Sequence, residues 1–220
     1  QSYTDGKKVV ISANTKDDSF DVTVGLCLHE ASHCILTNFN VAKQLSSISD
    51  RDLFGILNWI EDRRIDAYVY KNAPGYRDYY EALYDEYFRS KVVDKMLKSS
   101  HYRDEKFESY DARITNLINP NTDLDALKHL RKISEMIDLP NIDRLKSTSE
   151  SLALAKDIYR LIKNAEKQAQ EEQQSLNKQD AKPGEKGENG KPEPGGNGPK
   201  DENKPEKQDN KPDGPSEDTK

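Results

Sequence analysis

Long apolar runs, an excess of basic residues and disulfide-forming cysteines are all missing from this chain of 220 residues. No stretch approaches the ~18 consecutive apolar residues of a membrane-spanning helix, so membrane insertion is not expected. Acidic residues outnumber basic ones, 40 against 34, and no basic stripe interrupts the balance. Nucleic-acid binding is therefore not expected either, because it requires a positive surface. A phosphate-binding glycine loop and a serine or cysteine nucleophile motif are also lacking.

The chain has only two cysteines, Cys27 and Cys34. On one helix their Cα atoms would lie ~10.5 Å apart at a rise of ~1.5 Å per residue, beyond the ~7 Å limit for a disulfide. Two free thiols and the lack of a signal-peptide pattern indicate a reducing compartment, so we expect a cytoplasmic protein. Because the chain begins at Gln1 rather than Met, we expect it to be a fragment of a longer protein.

Apolar residues nearly disappear between residues 177 and 220, where Ala181 is the single hydrophobic residue. The same segment holds seven of the ten prolines and seven of the eleven glycines, and its lysines are interspersed with acidic residues. Such a composition cannot bury a core and is typical of a solvated linker. We therefore predict one compact domain over residues 1–175 and a disordered Lys/Glu/Pro/Gly-rich linker or tail over residues 176–220.

Hydrophobic periodicity predicts a mostly helical α+β domain with one short strand region near its start. The apolar run at residues 8–12 predicts the strand. Helices are predicted over residues 21–38, 51–71, 76–99, 106–118, 123–137 and 147–174. The third of these carries a tyrosine stripe that is typical of a packing surface, formed by Tyr76, Tyr79, Tyr80, Tyr84 and Tyr87.

The first predicted helix contains an H-E-x-x-H pattern that begins at His29 and ends at His33. Positions i and i+4 lie on one face of a helix, so both imidazoles can bind one ion. Glu30 lies beside the open coordination position, where it can act as the general base. Imidazole ligands with an open site favour Zn²⁺ as the cofactor, with iron and manganese as the alternatives. The alternative is a hydrogen-bonded polar cluster that holds no metal.

A third metal ligand is expected from the second predicted helix, where Glu61 and Asp62 are the candidates. Glu61 falls on the apolar face, where an unpaired carboxylate would be costly and a metal ion would explain it. Asp62 falls on a polar stripe with Asn58 and Asp66, which can supply one ligand and an orienting acceptor for an imidazole N–H. The pattern leaves Glu61 and Asp62 both open. A surface cluster neutralised by the two following arginines is the alternative without metal.

Three segments carry a resemblance to a known family: residues 4–11 (Thr-Asp-Gly-Lys-Lys-Val-Val-Ile), the motif at residues 29–33, and residues 58–66 (Asn-Trp-Ile-Glu-Asp-Arg-Arg-Ile-Asp). In this order they resemble the zincin-like, gluzincin-type metallopeptidase domains found N-terminal to von Willebrand A domains in bacterial and phage proteins. The resemblance implies a zincin-like fold with a small N-terminal sheet, an active-site helix, a second helix with an acidic ligand, and extra C-terminal helices. It also implies an orienting acid or amide four residues after that ligand, which selects Asp62 with Asp66.

The function implied by this resemblance is zinc-dependent hydrolysis of peptide bonds through a metal-activated water, with a peptide or protein as substrate. The family's domain order further implies a von Willebrand A-like domain beyond the linker and an ATPase partner, in the cytoplasm of a bacterial cell or phage-infected host. The alternative is a non-catalytic, metal-containing interaction module tethered to such a domain. One departure from the family pattern is Asn38, which stands where some members have another histidine.

Overall fold

The structure, a computed structural model, describes residues 2–11, 19–43, 45 and 51–180. The chain divides into one unit over Gln1–Ala181 and a second over Lys182–Lys220. The predicted linker lies outside the described residues from residue 181 onward. Within the described ranges, no helix combines the length and the apolar character needed to cross a membrane.

The described part of the first unit is mostly helical with one small sheet, so the expected α+β, mostly helical class is confirmed. Strands β1 (Tyr3–Thr4) and β2 (Val9–Val10) pair antiparallel, with Tyr3 opposite Val10. The α-helices are α1 (Phe20–Leu36), α2 (Phe39–Lys43), α3 (Arg51–Asn72), α4 (Arg77–Tyr87), α5 (Lys91–Lys98), α6 (Phe107–Thr115), α7 (Leu130–Ile137) and α8 (Thr148–Asp180). Short 3-10 helices occupy Pro74–Tyr76, Ser100–Tyr102 and Leu139–Arg144.

The helix bounds differ from the sequence prediction at several places, most of all in three of the predicted helices. The predicted third helix is split into α4 and α5, because Ser90 adopts an extended conformation with φ −71° and ψ 157°. The predicted fifth helix begins only at Leu130, since the Asp123 carboxylate accepts the backbone N–H of Asp125 and this local turn competes with the helix. In contrast, α8 continues to Asp180, beyond the predicted domain boundary at residue 175, in a segment rich in strong helix formers.

The hydrophobic core lies between α3 and α8 and is closed by α6 and α7. Ile56 and Ile60 of α3 and Ile158 and Ile162 of α8 are at most 1% exposed. Another face of α3 packs against α1. The polar side chains within residues 58–66 of α3 are therefore presented to α1 by a helix that is fixed in the core.

Helix α1 also packs closely against α4, and Gly25 permits the contact. A Cβ atom at Gly25 would lie 2.3 Å from the backbone oxygen of Tyr79, which no side chain could accommodate without moving a helix. The approach brings Tyr80 and Tyr84 of the predicted tyrosine stripe under the H-E-x-x-H motif, whereas Tyr76 and Tyr87 at its ends are about half exposed. Tyr80 is fully buried, and its hydroxyl lies 3.5 Å from the Ser32 hydroxyl.

The β-hairpin is attached to α1 and α2. Thr4 Oγ1 lies 3.2 Å from Cys34 Sγ on α1. At the turn, Gly6 has φ 87° and packs against the ring of Phe39, where a Cβ atom would approach the ring to 2.8 Å. Cys34 and Cys27 are both free thiols, as their spacing predicts.

Candidate metal centre

Three ligand atoms converge between α1 and α3, from His29, His33 and Asp62. The His33 and His29 Nε2 atoms are 3.3 Å apart, and they lie 3.1 and 3.7 Å from Asp62 Oδ1. The three side chains are only 10–18% exposed. Ligands at a tetrahedral zinc ion with bonds of ~2.0–2.1 Å are about 3.3 Å apart. The spacing therefore fits one such ion.

The proton position on the His29 ring follows from the carboxylate behind it. His29 Nδ1 lies 2.8 Å from Asp66 Oδ1, and an ionised carboxylate only accepts hydrogen bonds, so Nδ1 carries the proton. The neutral ring then keeps a lone pair on Nε2, toward Asp62. Burial opposes the positive charge of His29, but the Asp66 carboxylate outweighs burial and raises the pKa of His29 to about 9. A cation at His29 Nε2 is therefore favoured, and in the absence of a metal ion that cation is a proton.

Asp66 is held in place by two groups on its other oxygen. The Tyr84 hydroxyl donates to Asp66 Oδ2 at 2.5 Å, and Arg63 Nη2 lies 3.1 Å from the same atom. Arg63 is itself buried and stacks on the Tyr84 ring, 4.7 Å from its centroid. Burial alone would raise the pKa of Asp66, but the charges of His29 and Arg63 outweigh it and hold the pKa below its usual value. Asp66 therefore stays an acceptor for His29.

The proton position on the His33 ring is set in the same way, through a hydroxyl. The Thr37 hydroxyl donates to Glu61 Oε1 at 2.9 Å, and His33 Nδ1 lies 2.9 Å from Thr37 Oγ1. Because Thr37 has a single hydrogen and donates it to Glu61, His33 Nδ1 must be the donor in the second bond. His33 Nε2 thus keeps its lone pair and faces His29 and Asp62.

Asp62 completes the set with an unpaired oxygen. Its Oδ2 accepts a hydrogen bond of 3.3 Å from Asn58 Nδ2, whereas its buried Oδ1 has no hydrogen-bond donor among the described residues. When His29 is neutral, three acceptor lone pairs therefore face one another at a largely buried position. Such an arrangement is costly unless a cation occupies it, and two imidazoles with one carboxylate are ligands that Zn²⁺ accepts. The residues fit the zinc ion that the sequence predicts.

Glu61 lies outside this converging set and is fully paired. It accepts five hydrogen bonds, two of them from Arg64 at 2.6 and 2.8 Å and the others from Thr37, Thr148 and Ser151 at 2.8–2.9 Å. Burial would raise the pKa of Glu61, but these donors outweigh it and hold the pKa below its usual value. The carboxylate for which the sequence analysis offered a metal ion as the explanation is stabilised instead by Arg64 and three hydroxyls, and it has no lone pair free for an ion.

An open cleft of ≈ 700 Å³ gives access to the converging atoms. Glu30 lines this cleft beside both histidines and is 9% exposed. Burial raises the pKa of the Glu30 carboxyl above its usual value. The remaining wall includes Tyr3 and Thr4 of the hairpin and the apolar side chains of Phe39, Phe54 and Leu57. The cleft thus places a carboxylate and an apolar surface next to the candidate metal centre.

Every residue selected from the sequence lies at or next to this centre, but several important ones were missed. Thr37 could have been found, because it stands four residues after His33 on the same helix face. Tyr84, Thr148 and Ser151 carried no signal of this kind. They lie 18, 87 and 90 residues from their carboxylate partners, so only the folded chain brings them together.

The chain matches no family model, and searches of curated proteins and of solved structures return no match. What the centre can do chemically follows from its own residues. Among the described residues, two imidazoles and one carboxylate provide three ligands, one fewer than a closed structural zinc site has. The three ligand residues and Glu30 all line the cleft.

Proposed function

We propose that this chain is a zinc-dependent metallopeptidase of zincin-like fold, in which His29, His33 and Asp62 bind the ion and Glu30 is the general base. The observation that carries the proposal is the convergence of three potential ligand atoms, one of them a buried carboxylate oxygen without a donor among the described residues, at the wall of an open cleft. A structural zinc site has four protein ligands, whereas a catalytic site has three and keeps a position open. The number of ligands and the cleft therefore favour catalysis over a purely structural role.

The residues of the cleft divide the chemistry between them. A zinc ion bound there would polarise a peptide carbonyl and lower the pKa of water. Glu30 takes the proton from the water whose oxygen attacks the carbonyl carbon. It then delivers that proton to the amine nitrogen as the C–N bond breaks, which leaves Glu30 ionised for the next cycle.

The cleft is suited to a peptide or protein substrate. Its volume of ≈ 700 Å³ can hold several residues of an extended chain, and Phe39, Phe54 and Leu57 offer an apolar wall for a large side chain. Phe54 is 42% exposed, although it is aromatic, which is expected of a side chain that contacts a substrate. The von Willebrand A-like and ATPase partners and the cytoplasmic location stay predictions from the resemblance.

The decisive experiment is metal analysis of the full chain beside His29→Ala and Glu30→Gln, followed by incubation with a mixed peptide library. We expect about one zinc ion per chain in wild type and in Glu30→Gln, and none in His29→Ala. Cleavage should occur with wild type and be lost in Glu30→Gln although zinc is retained. A wild-type protein that binds no zinc would refute the proposal. Zinc binding without cleavage of any peptide would favour the non-catalytic interaction module.

A further inference from the structure

We propose that Thr37 and Glu61 are positioning residues for His33, and that the first turn of α8 holds them in place. The inference rests on the metal centre proposed above and assigns a role to groups that do not themselves bind the ion. Its basis is one continuous hydrogen-bond chain that runs from His33 to Thr148 and Ser151.

The chain of hydrogen bonds fixes both the tautomer and the orientation of the His33 ring. Glu61 can only accept, so the Thr37 hydroxyl must donate to it and must accept from His33 Nδ1. Only the tautomer with its proton on Nδ1 satisfies Thr37, and that tautomer presents the Nε2 lone pair to the ion. Carboxylates behind ligating histidines orient the ring and raise its basicity. Here the Glu61 carboxylate acts through a hydroxyl.

Glu61 is immobilised by groups from three helices. Arg64 donates to both of its oxygens and also to the backbone oxygen of Leu36 at the end of α1. Thr148 and Ser151 add hydroxyl donors from the first turn of α8. The ends of α1 and α8 are thereby joined to α3 at one buried carboxylate.

Thr148 makes the connection to α8 direct. Its hydroxyl donates to Glu61 Oε1 at 2.8 Å and accepts the backbone N–H of Asn38 at 2.8 Å. Asn38 follows Thr37 in the chain. Loss of the Thr148 hydroxyl therefore removes a donor to the carboxylate that Thr37 binds and also the acceptor of the backbone N–H next to Thr37. Because coupling between two sites is reciprocal, zinc binding at His33 should in turn stabilise the first turn of α8.

The test uses the full chain with Thr37→Val, which keeps the shape but removes the hydroxyl, and with Thr37→Ser, which restores it. Zinc affinity is measured by competition with a chromophoric chelator. We expect Thr37→Val to bind zinc about 10–100-fold more weakly than wild type and Thr37→Ser to recover most of the loss. Ile158→Val is the matched control, because it disturbs the buried face of α8 away from the network and should leave zinc affinity unchanged.

Two further readouts separate positioning from mere loss of stability. Imidazole ¹⁵N NMR of the metal-free protein, which has four histidines, should place the His33 proton on Nδ1 in wild type and partly on Nε2 in Thr37→Val. Zinc should slow amide exchange over residues 148–152 in wild type and do so less in Thr37→Val.

The inference would be overturned by wild-type zinc affinity in Thr37→Val, by an equal loss in Ile158→Val, or by a wild-type His33 protonated on Nε2. A wild-type protein that binds no zinc would refute the proposed function instead, while the NMR measurement would still decide the role of Thr37.

Discussion

Glu61 and Asp62 are adjacent acids, yet removal of their charges should have opposite consequences. Glu61→Gln should destabilise the metal-free protein and leave zinc binding weakened but present. Asp62→Asn should leave the stability of the metal-free protein nearly unchanged and abolish stoichiometric zinc binding. The reason is that Glu61 accepts five hydrogen bonds, whereas Asp62 Oδ1 has no donor within the described ranges of the chain.

The magnitude for Glu61→Gln follows from its donors. Oε1 receives Arg64, Thr37 and Thr148, and Oε2 receives Arg64 and Ser151. Whichever position the amide NH₂ takes, it meets at least two donors, one of which is the buried guanidinium of Arg64. Removing one partner of a buried ion pair costs ~3–5 kcal/mol, and the remaining bond from Arg64 to the Leu36 oxygen favours the lower end. A loss of about 3 kcal/mol lowers Tm by about 6–12 °C in a chain of this length.

The assay is thermal and urea unfolding of the full chains in the presence of a chelator, followed by zinc analysis after reloading and dialysis. Asp62→Asn serves as the isosteric control, with a change in the free energy of unfolding below about 1 kcal/mol. The reasoning fails if Glu61→Gln unfolds within about 1 kcal/mol of wild type. It also fails if Asp62→Asn retains stoichiometric zinc, because the carboxylate would then not be a ligand.

Three other substitutions test the surroundings of the centre. Gly25→Ala forces a Cβ atom against a backbone oxygen of α4 and should cost ~1–3 kcal/mol in thermal unfolding, whereas Gly75→Ala, with open space around it, should not. Tyr84→Phe removes a donor to Asp66 and should weaken zinc binding about 10-fold in a chelator titration, and an unchanged affinity would contradict this role. Phe54→Ala should raise KM for peptides with large apolar side chains at nearly constant kcat, and a loss confined to kcat would exclude a role in substrate binding.

Local sequence signals predicted the parts of the fold that depend on neighbouring residues. At the start of α8 the Ser147 hydroxyl accepts the backbone N–H of Glu150, as in a capping box, and the Glu150 carboxylate accepts the backbone N–H of Lys146, one residue before the N-cap. The turn after Asp123 depends on a similar local bond but had a weaker signal. The sequence could not predict that α1 packs against α4, because nothing in the spacing of Gly25 indicates which helix approaches it.

The candidate centre shows the same difference between what neighbouring residues predict and what depends on distant ones. Helical periodicity correctly predicted that Glu61 is buried, and it is 2% exposed. It could not predict what compensates the buried charge, because Thr148 lies 87 residues further along the chain. A pattern within one helix indicates burial and direction, whereas the identity of a partner on another helix depends on tertiary packing.

Helix α3 provides the carboxylate that faces the imidazoles, Asp62, and the two carboxylates that orient the rings from their far sides, Glu61 and Asp66. Successive residues of an α-helix point ~100° apart, so Glu61 and Asp62 emerge on different sides of His33, and Asp66 follows Asp62 by about one turn. Because Ile60 and Ile65 are fully buried, α3 cannot rotate without disturbing the core. Any rotation would move the ligand and both orienting carboxylates together. Substitutions that rotate α3 should therefore change zinc affinity, whereas a conservative core substitution that leaves its orientation unchanged, such as Ile158→Val on α8, should not.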